Sequence, residues 1–127
     1  MTPEQNKQFV RQFIEKVVTS GDTDLMRQHP GLHEIIPTIS RMAQTLSDRS
    51  VSFPLQIAEG EWVAMRAVFY GTHTGNAFGV DATGNKVEYE VLILNRVVDG
   101  VIVQQHSQAD LGRLMEQIGV APPALPE

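Results

Sequence analysis

Apolar side chains recur at helical spacing from the start of the chain. Phe9, Val10, Phe13, Ile14, Val17 and Val18 make one face of an amphipathic helix. Thr2 as N-cap, Pro3 in the first turn and Gln5 closing a capping box fix where it begins. Ser20-Gly21-Asp22 ends it, and a short helix, TDLMRQ, follows and stops at Pro30-Gly31. A third helical pattern runs through Leu32, Ile35, Ile36, Ile39, Met42, Ala43 and Leu46, with Pro37 inside it. A proline is tolerated only in a first turn, so the regular helix is expected to begin there.

From Val51 the period changes to two. Val51, Phe53, Leu55 and Ile57 alternate with Ser52, Pro54, Gln56 and Ala58, and Pro54 marks this strand as an edge or a bulged one. Glu59-Gly60 turns the chain into EWVAMRAVFYG, and a glycine-rich stretch then crosses to NKVEYEVLILNRVV. Asp99-Gly100 is a hairpin signal, returning VIVQQHSQ as the last strand. Asp110 caps a final helix, LGRLMEQI, with Gly119 as its stop, and APPALPE is a loose tail. Helices, then four antiparallel strands, then one helix predict an α+β domain with a pocket between the sheet and the long helix. The expected division of this single domain is a helical part over 1–48, a sheet over 50–110, a terminal helix over 111–119 and a tail over 120–127.

Composition narrows the function. The chain has 127 residues, 42% hydrophobic and 20% charged, the profile of a soluble globular domain. It has no cysteine, which removes disulfide and thiolate chemistry. A formal charge of −5 with scattered Lys and Arg argues against a nucleic-acid partner. No apolar run reaches membrane length and MTPEQNKQF is too polar for a signal peptide, so no membrane partner is expected and the expected location is the cytoplasm.

The stretch YGTHTGNAFGVDATGNKVEYE invites a phosphate-loop reading through Gly79 and Gly84. Asn85 stands where the loop lysine belongs, and a strand follows where a helix N-terminus is needed. A calcium loop fails as well, because Asp81 is the one carboxylate in place. His29 and His33 have metal-like spacing, but Pro30-Gly31 between them breaks the helical face. No metal and no cofactor are expected.

Four words carry a resemblance: NKQFVRQFIEKVVTSGDTDLM, IAEGEWVAMRAVFYGTHTG, TGNKVEYEVLILNRVVDGVIV and DLGRLMEQIG. In this order the chain resembles the SnoaL-like polyketide cyclases (ester cyclases) of the nuclear-transport-factor-2-like superfamily. The resemblance implies a cone-shaped α+β fold in which the GTHTG…TGxxV segment joins two long strands, its glycines serving turns and close crossings. It departs at RQHPGLHEI, shorter than the usual segment between the second and third helices. It further implies an aldol-type ring closure driven by a histidine on the third strand and an aspartate on the fourth. Aligned on the shared hairpin, those roles fall on Ile93 and Ser107, and a further polar position falls on Val91. The scaffold is kept and the cyclase pair is missing.

Strand alternation then puts Val87, Tyr89, Val91, Asn95, Val103 and Gln105 on the face of Ile93 and Ser107. Two readings stay open for this set: walls of a ligand pocket, with Tyr89, Gln105 and Ser107 as polar accents, or plain core. The expected ligand is a small hydrophobic molecule, polyketide-like, cyclic or acyl, contacted by Tyr89, Val91, Ile93, Gln105 and Ser107. His106 turns to the opposite face, where a homodimer contact is expected alongside Leu92 and Leu94. A one-residue register slip would reverse this and make His106 with Glu90 an acid–base pair, the basis of an alternative as an active cyclase, isomerase or hydrolase. A dimeric interaction module without ligand is the other alternative. Arg66, mid-strand, is expected to pair with Glu88 or Glu90, and His73 to lie in solvent.

Overall fold

The computed structural model describes residues 1–120. The first helix, α1 (Pro3–Ser20), starts in the expected capping box: the Thr2 hydroxyl accepts the Gln5 N–H at 3.1 Å and Gln5 Oε1 accepts the Thr2 N–H at 2.8 Å. Its apolar stripe of Val10, Ile14, Val17 and Val18 is buried, and the helix lies across the first two strands. Each such side chain contributes roughly 1.5–3 kcal/mol relative to exposure.

A 3₁₀ turn at Thr23–Met26 and a 3₁₀ helix at Pro30–Ile35 lead into α2 (Ile36–Thr45). Pro37 sits in the first turn of α2, where its missing N–H costs nothing. Leu46 does not extend the helix; it opens the first strand five residues before the alternation at Val51 begins. Arg49 explains this early start. Its guanidinium donates to the carbonyls of Val18, Ala43 and Leu46, tying the ends of both helices to the strand.

The sheet is a four-stranded antiparallel meander, β1 (Leu46–Glu59), β2 (Trp62–His73), β3 (Lys86–Val98) and β4 (Val101–Ala109), in sequential order. β1 is an edge strand and also carries a register shift between Ser52 and Leu55, at Pro54. The β3–β4 hairpin turns on Asp99 and Gly100, both at positive φ (49° and 74°), which matches the twist of the flanking strands. The helix α3 (Leu111–Gln117), capped by Asp110, packs on β3. APPALPE lies outside the described residues.

On β2 and β3 the inward positions are buried in strict alternation: Val63, Met65, Ala67 and Phe69 face Val87, Tyr89, Val91 and Ile93. On β4 a register shift follows Arg96, so that Arg96 pairs with Gln104 but Val97 pairs with Ile102. Val103 is the extra residue. It was expected inside, yet it is 36% exposed, and Ile102 takes the interior instead at 0%. The bulge resets the alternation, which a hairpin count from the turn cannot anticipate.

The 3₁₀ helix at Pro30–Ile35 is fastened beside this bulge. The Ile102 N–H donates to His29 Nδ1 at 3.0 Å, and a Cβ on Gly31 would overlap the backbone of Gln104. The loop after β2 makes a similar crossing. Thr74 and Gly75 both donate to the Thr45 carbonyl, and a Cβ on Gly75 would overlap the Gln44 carbonyl and come within 3.1 Å of Thr45 Cα. The glycines of the crossing segment serve turns and close approach.

Gly31→Ala and Gly75→Ala are each expected to destabilise by about 1–3 kcal/mol through overpacking against backbone. Gly112→Ala, inside α3 with no atom nearer than 3.7 Å, should be neutral or stabilising by about 0.4–1 kcal/mol. Urea unfolding of the three variants checks the contrast; equal midpoints would refute the close crossings. Burial also holds the His29 imidazole below its ordinary value of 6.5, so the unfolded chain binds this proton more tightly than the native one. The resulting stability is complete above about pH 6.5 and is lost as pH falls toward the lowered native value. His29→Asn, which keeps an acceptor near Nδ1 and does not titrate, should flatten the fall in Tm between pH 7.5 and 5.

Candidate functional site

Between the inward face of the sheet and the helices lies a cavity of about 120 Å³. Phe13 and Val17 of α1, Leu32, and Ile39 and Met42 of α2 wall it from the helical side. Tyr89, Val91, Ile93, Gln105 and Ser107 wall it from β3 and β4. Ile93 and Ser107 stand directly opposite each other in the ladder, so the two positions aligned with a cyclase pair are neighbours on one wall. Among the described residues lining this cavity there is no Asp, Glu or His.

Its polar groups are few. The Tyr89 hydroxyl sits behind an apolar surround that pushes its pKa up to about 12, which keeps it a neutral donor at any physiological pH. Its ring packs against Phe69 with centroids 5.6 Å apart. Gln105 donates from Nε2 to Asn95 Oδ1 at 2.7 Å, which orients the amide and leaves Oε1 as an acceptor. Asn95 itself is fully buried. Such a wall can hold an apolar body and make one or two oriented hydrogen bonds. It offers no group that gains or loses a proton near neutrality.

His106 and Glu90 point to the outer face of the sheet. His106 is exposed, opposite Leu94, its ring stacked on Trp62 at 6.4 Å, and its Nε2 accepts from the Gln104 amide at 3.0 Å. Glu90 is held by Arg66 Nε in a half-exposed ion pair. A pair of this kind contributes about 0.2–1 kcal/mol. His106 and Glu90 are therefore not brought together, and each has another partner. Around them Leu55, Ile57, Leu92 and Leu94 are 53%, 57%, 51% and 47% exposed, an apolar trough of about 430 Å³ across the outer face.

The other histidines divide sharply. His33 is exposed and donates to the Arg27 carbonyl at 2.7 Å, away from the buried His29. His73 does not lie in solvent as expected. It closes β2 on the inward face, is 0% exposed, and lines a second, outer chamber of about 670 Å³. Glycine and threonine neighbours suggested a loop, whereas the inward alternation of Phe69, Gly71 and His73 runs to the strand's last residue. The helical wall was also missed as a site. Ile39 and Met42 show in the sequence as an apolar stripe, and periodicity cannot tell a core stripe from a cavity wall.

The family described as SnoaL-like polyketide cyclase matches residues 3–118. The chain is 37% identical over 60 residues to the aklanonic acid methyl ester cyclase DnrD of Streptomyces peucetius, a match covering 47% of this chain and 41% of that enzyme. It is 28% identical over 92 residues to the nogalonic acid methyl ester cyclase of Streptomyces nogalater, covering 72% of this chain and 69% of the relative. TsrD from Streptomyces laurentii superposes with a TM-score of 0.80 at 21% identity, covering 94% of this chain and 98% of the other. The fold is thus the cone-shaped one of the nuclear-transport-factor-2-like superfamily. By its family match over nearly all of its described length, this chain belongs to the SnoaL-like polyketide cyclases.

Proposed function

We propose that the protein binds a small hydrophobic molecule, polyketide-like and cyclic or acyl, in the inner cavity without the histidine–aspartate chemistry of an aldol cyclase. The observation that carries this reading is the apolar wall itself. Ile93 and Ser107 face each other across the ladder in a cavity whose described lining holds no carboxylate or imidazole. Tyr89, Val91, Ile93, Gln105 and Ser107 are its ligand contacts. Affinity then follows apolar burial, at about 25 cal/mol per Å². An acid–base role for His106 with Glu90 finds no support, since both lie on the outer face and Glu90 is occupied by Arg66.

The test substrate is aklanonic acid methyl ester, the compound in the name of the Streptomyces peucetius relative. It should raise the Tm of the wild-type protein and be turned over poorly. Loss of a positioned general base typically costs about 10²–10⁴ in rate. Ile93→His with Ser107→Asp should gain turnover and lose stability through the buried charge. Efficient wild-type turnover abolished by His106→Ala would overturn the proposal.

The outer trough serves, in this reading, as a homodimer contact. Leu55, Ile57, Leu92 and Leu94 are each about half exposed and line one trough, an apolar patch of the kind that often marks a protein contact. Light scattering should give a dimer mass at micromolar concentration, and Leu92→Glu with Leu94→Glu should convert it to monomer. A monomeric wild-type mass would exclude this interface.

A further inference from the structure

The outer chamber carries charge of one sign. Met42 of α2 and Leu114 and Ile118 of the α3 end give it apolar walls, and Arg41 stands at their edge. No Asp or Glu lines the chamber among the described residues. Arg41 is exposed, and its side chain donates to Thr38 Oγ1 at 3.3 Å. It forms no ion pair among the described residues. Most of its guanidinium fork is therefore open to an acceptor from outside the chain. The chamber's volume of about 670 Å³ lies within the roughly 300–1,000 Å³ of small-molecule sites.

The segment after β2 adds an independent observation. Ala77 and Val80 exchange both backbone hydrogen bonds, at 3.0 and 2.9 Å, and close a two-residue turn over Phe78 and Gly79. Both turn residues have positive φ, 52° and 77°. Glycine, asparagine and aspartate take that conformation readily, whereas a bulky aromatic is strained in it. Asn76 braces the turn, donating from Nδ2 to Asp81 Oδ1 at 3.1 Å. Phe78 takes no part in the core; it lines the chamber and is 49% exposed. A strained aromatic with no core packing to offset it points to a contact made outside the fold.

We propose that the outer chamber is a ligand site in its own right, taking a flat apolar body that carries a carboxylate. Arg41 pairs with the carboxylate and Phe78 packs on the apolar body. The site is separate from the inner cavity and needs no passage between the two. Its selectivity comes from charge: a lone guanidinium at an apolar chamber without carboxylates favours an anion, on a chain whose formal charge of −5 disfavours one elsewhere.

The probes are 2-naphthoate and 2-naphthamide, alike in shape and different in charge, titrated into the full chain at neutral pH and low salt. Backbone amide shifts read by NMR should move at Gln44, Ala77, Phe78 and Leu114 and stay still at Ile93 and Ser107. Naphthoate should bind roughly fivefold more tightly than the amide, the upper worth of an exposed ion pair, and high salt should shrink the preference. Arg41→Gln should bind the two alike, and Arg41→Lys, which keeps the charge, should retain part of the preference. Phe78→Asn suits positive φ, so it should hold or raise the Tm of the free protein while weakening both probes roughly two- to tenfold. Equal affinities in wild type, or an unchanged preference in Arg41→Gln, would overturn the proposal. So would a Phe78→Asn protein that loses Tm and binds as before, since Phe78 would then be structural. Shifts confined to Ile93 and Ser107 would refute the outer site and support binding in the inner cavity. Failure of both probes to bind would refute the outer site alone, because aklanonic acid methyl ester tests the inner cavity separately.

Discussion

The pairing of β3 with β4 fixes the interior. Ile93 meets Ser107 and Asn95 meets Gln105, and the single extra residue at Val103 then carries Ile102 back inside. Because side chains alternate with period two, this bulge sets which β4 residues wall the cavity and which face outward. It also frees the Ile102 N–H from the ladder, and His29 takes it up, drawing the segment around Gly31 onto the sheet. The helical roof of the cavity is thus hung from a defect in its floor.

Much of the fold was legible because it is written locally. The Thr2 capping box, the Pro37 start of α2, the Asp99-Gly100 turn and the inward set on β3 each follow from a few adjacent residues. What was not legible depends on partners distant in sequence. Val103 was misplaced because the bulge answers to His29 and Gly31, some seventy residues earlier. The early start of β1 depends on Arg49 reaching carbonyls of α1 and α2. The five sheet residues named as ligand contacts do line one cavity, but the helical half of its wall had no signal that separates it from core.

The histidines show how little residue type says about role. His106 drew attention because it follows Gln105 and precedes Ser107, yet the strand turns it outward onto Trp62. His29 drew notice for its metal-like spacing to His33 and His73 was expected in solvent, and both are buried. Each uses Nδ1 as an acceptor for a backbone N–H, which commits its proton to Nε2. The difference between them lies in what that second nitrogen meets. The His29 ring is packed edge-on against Phe13 at 4.6 Å, inside the core. The His73 ring is wholly buried and leaves Nε2 without a partner among the described residues.

This contrast bears on how the scaffold can change chemistry. With Ile93 and Ser107 opposite each other, the floor of the cavity has hydrophobic bulk beside a hydroxyl. Such a floor is stable for that reason, since an unpaired charge there would be costly to bury. Among the polar side chains on the cavity wall are Tyr89, whose hydroxyl keeps its proton to about pH 12, and Gln105, pinned by Asn95. Each is anchored by its strand or by a partner side chain. In the proposed binding role, an interior built this way favours ligands by their shape and by where their polar atoms fall.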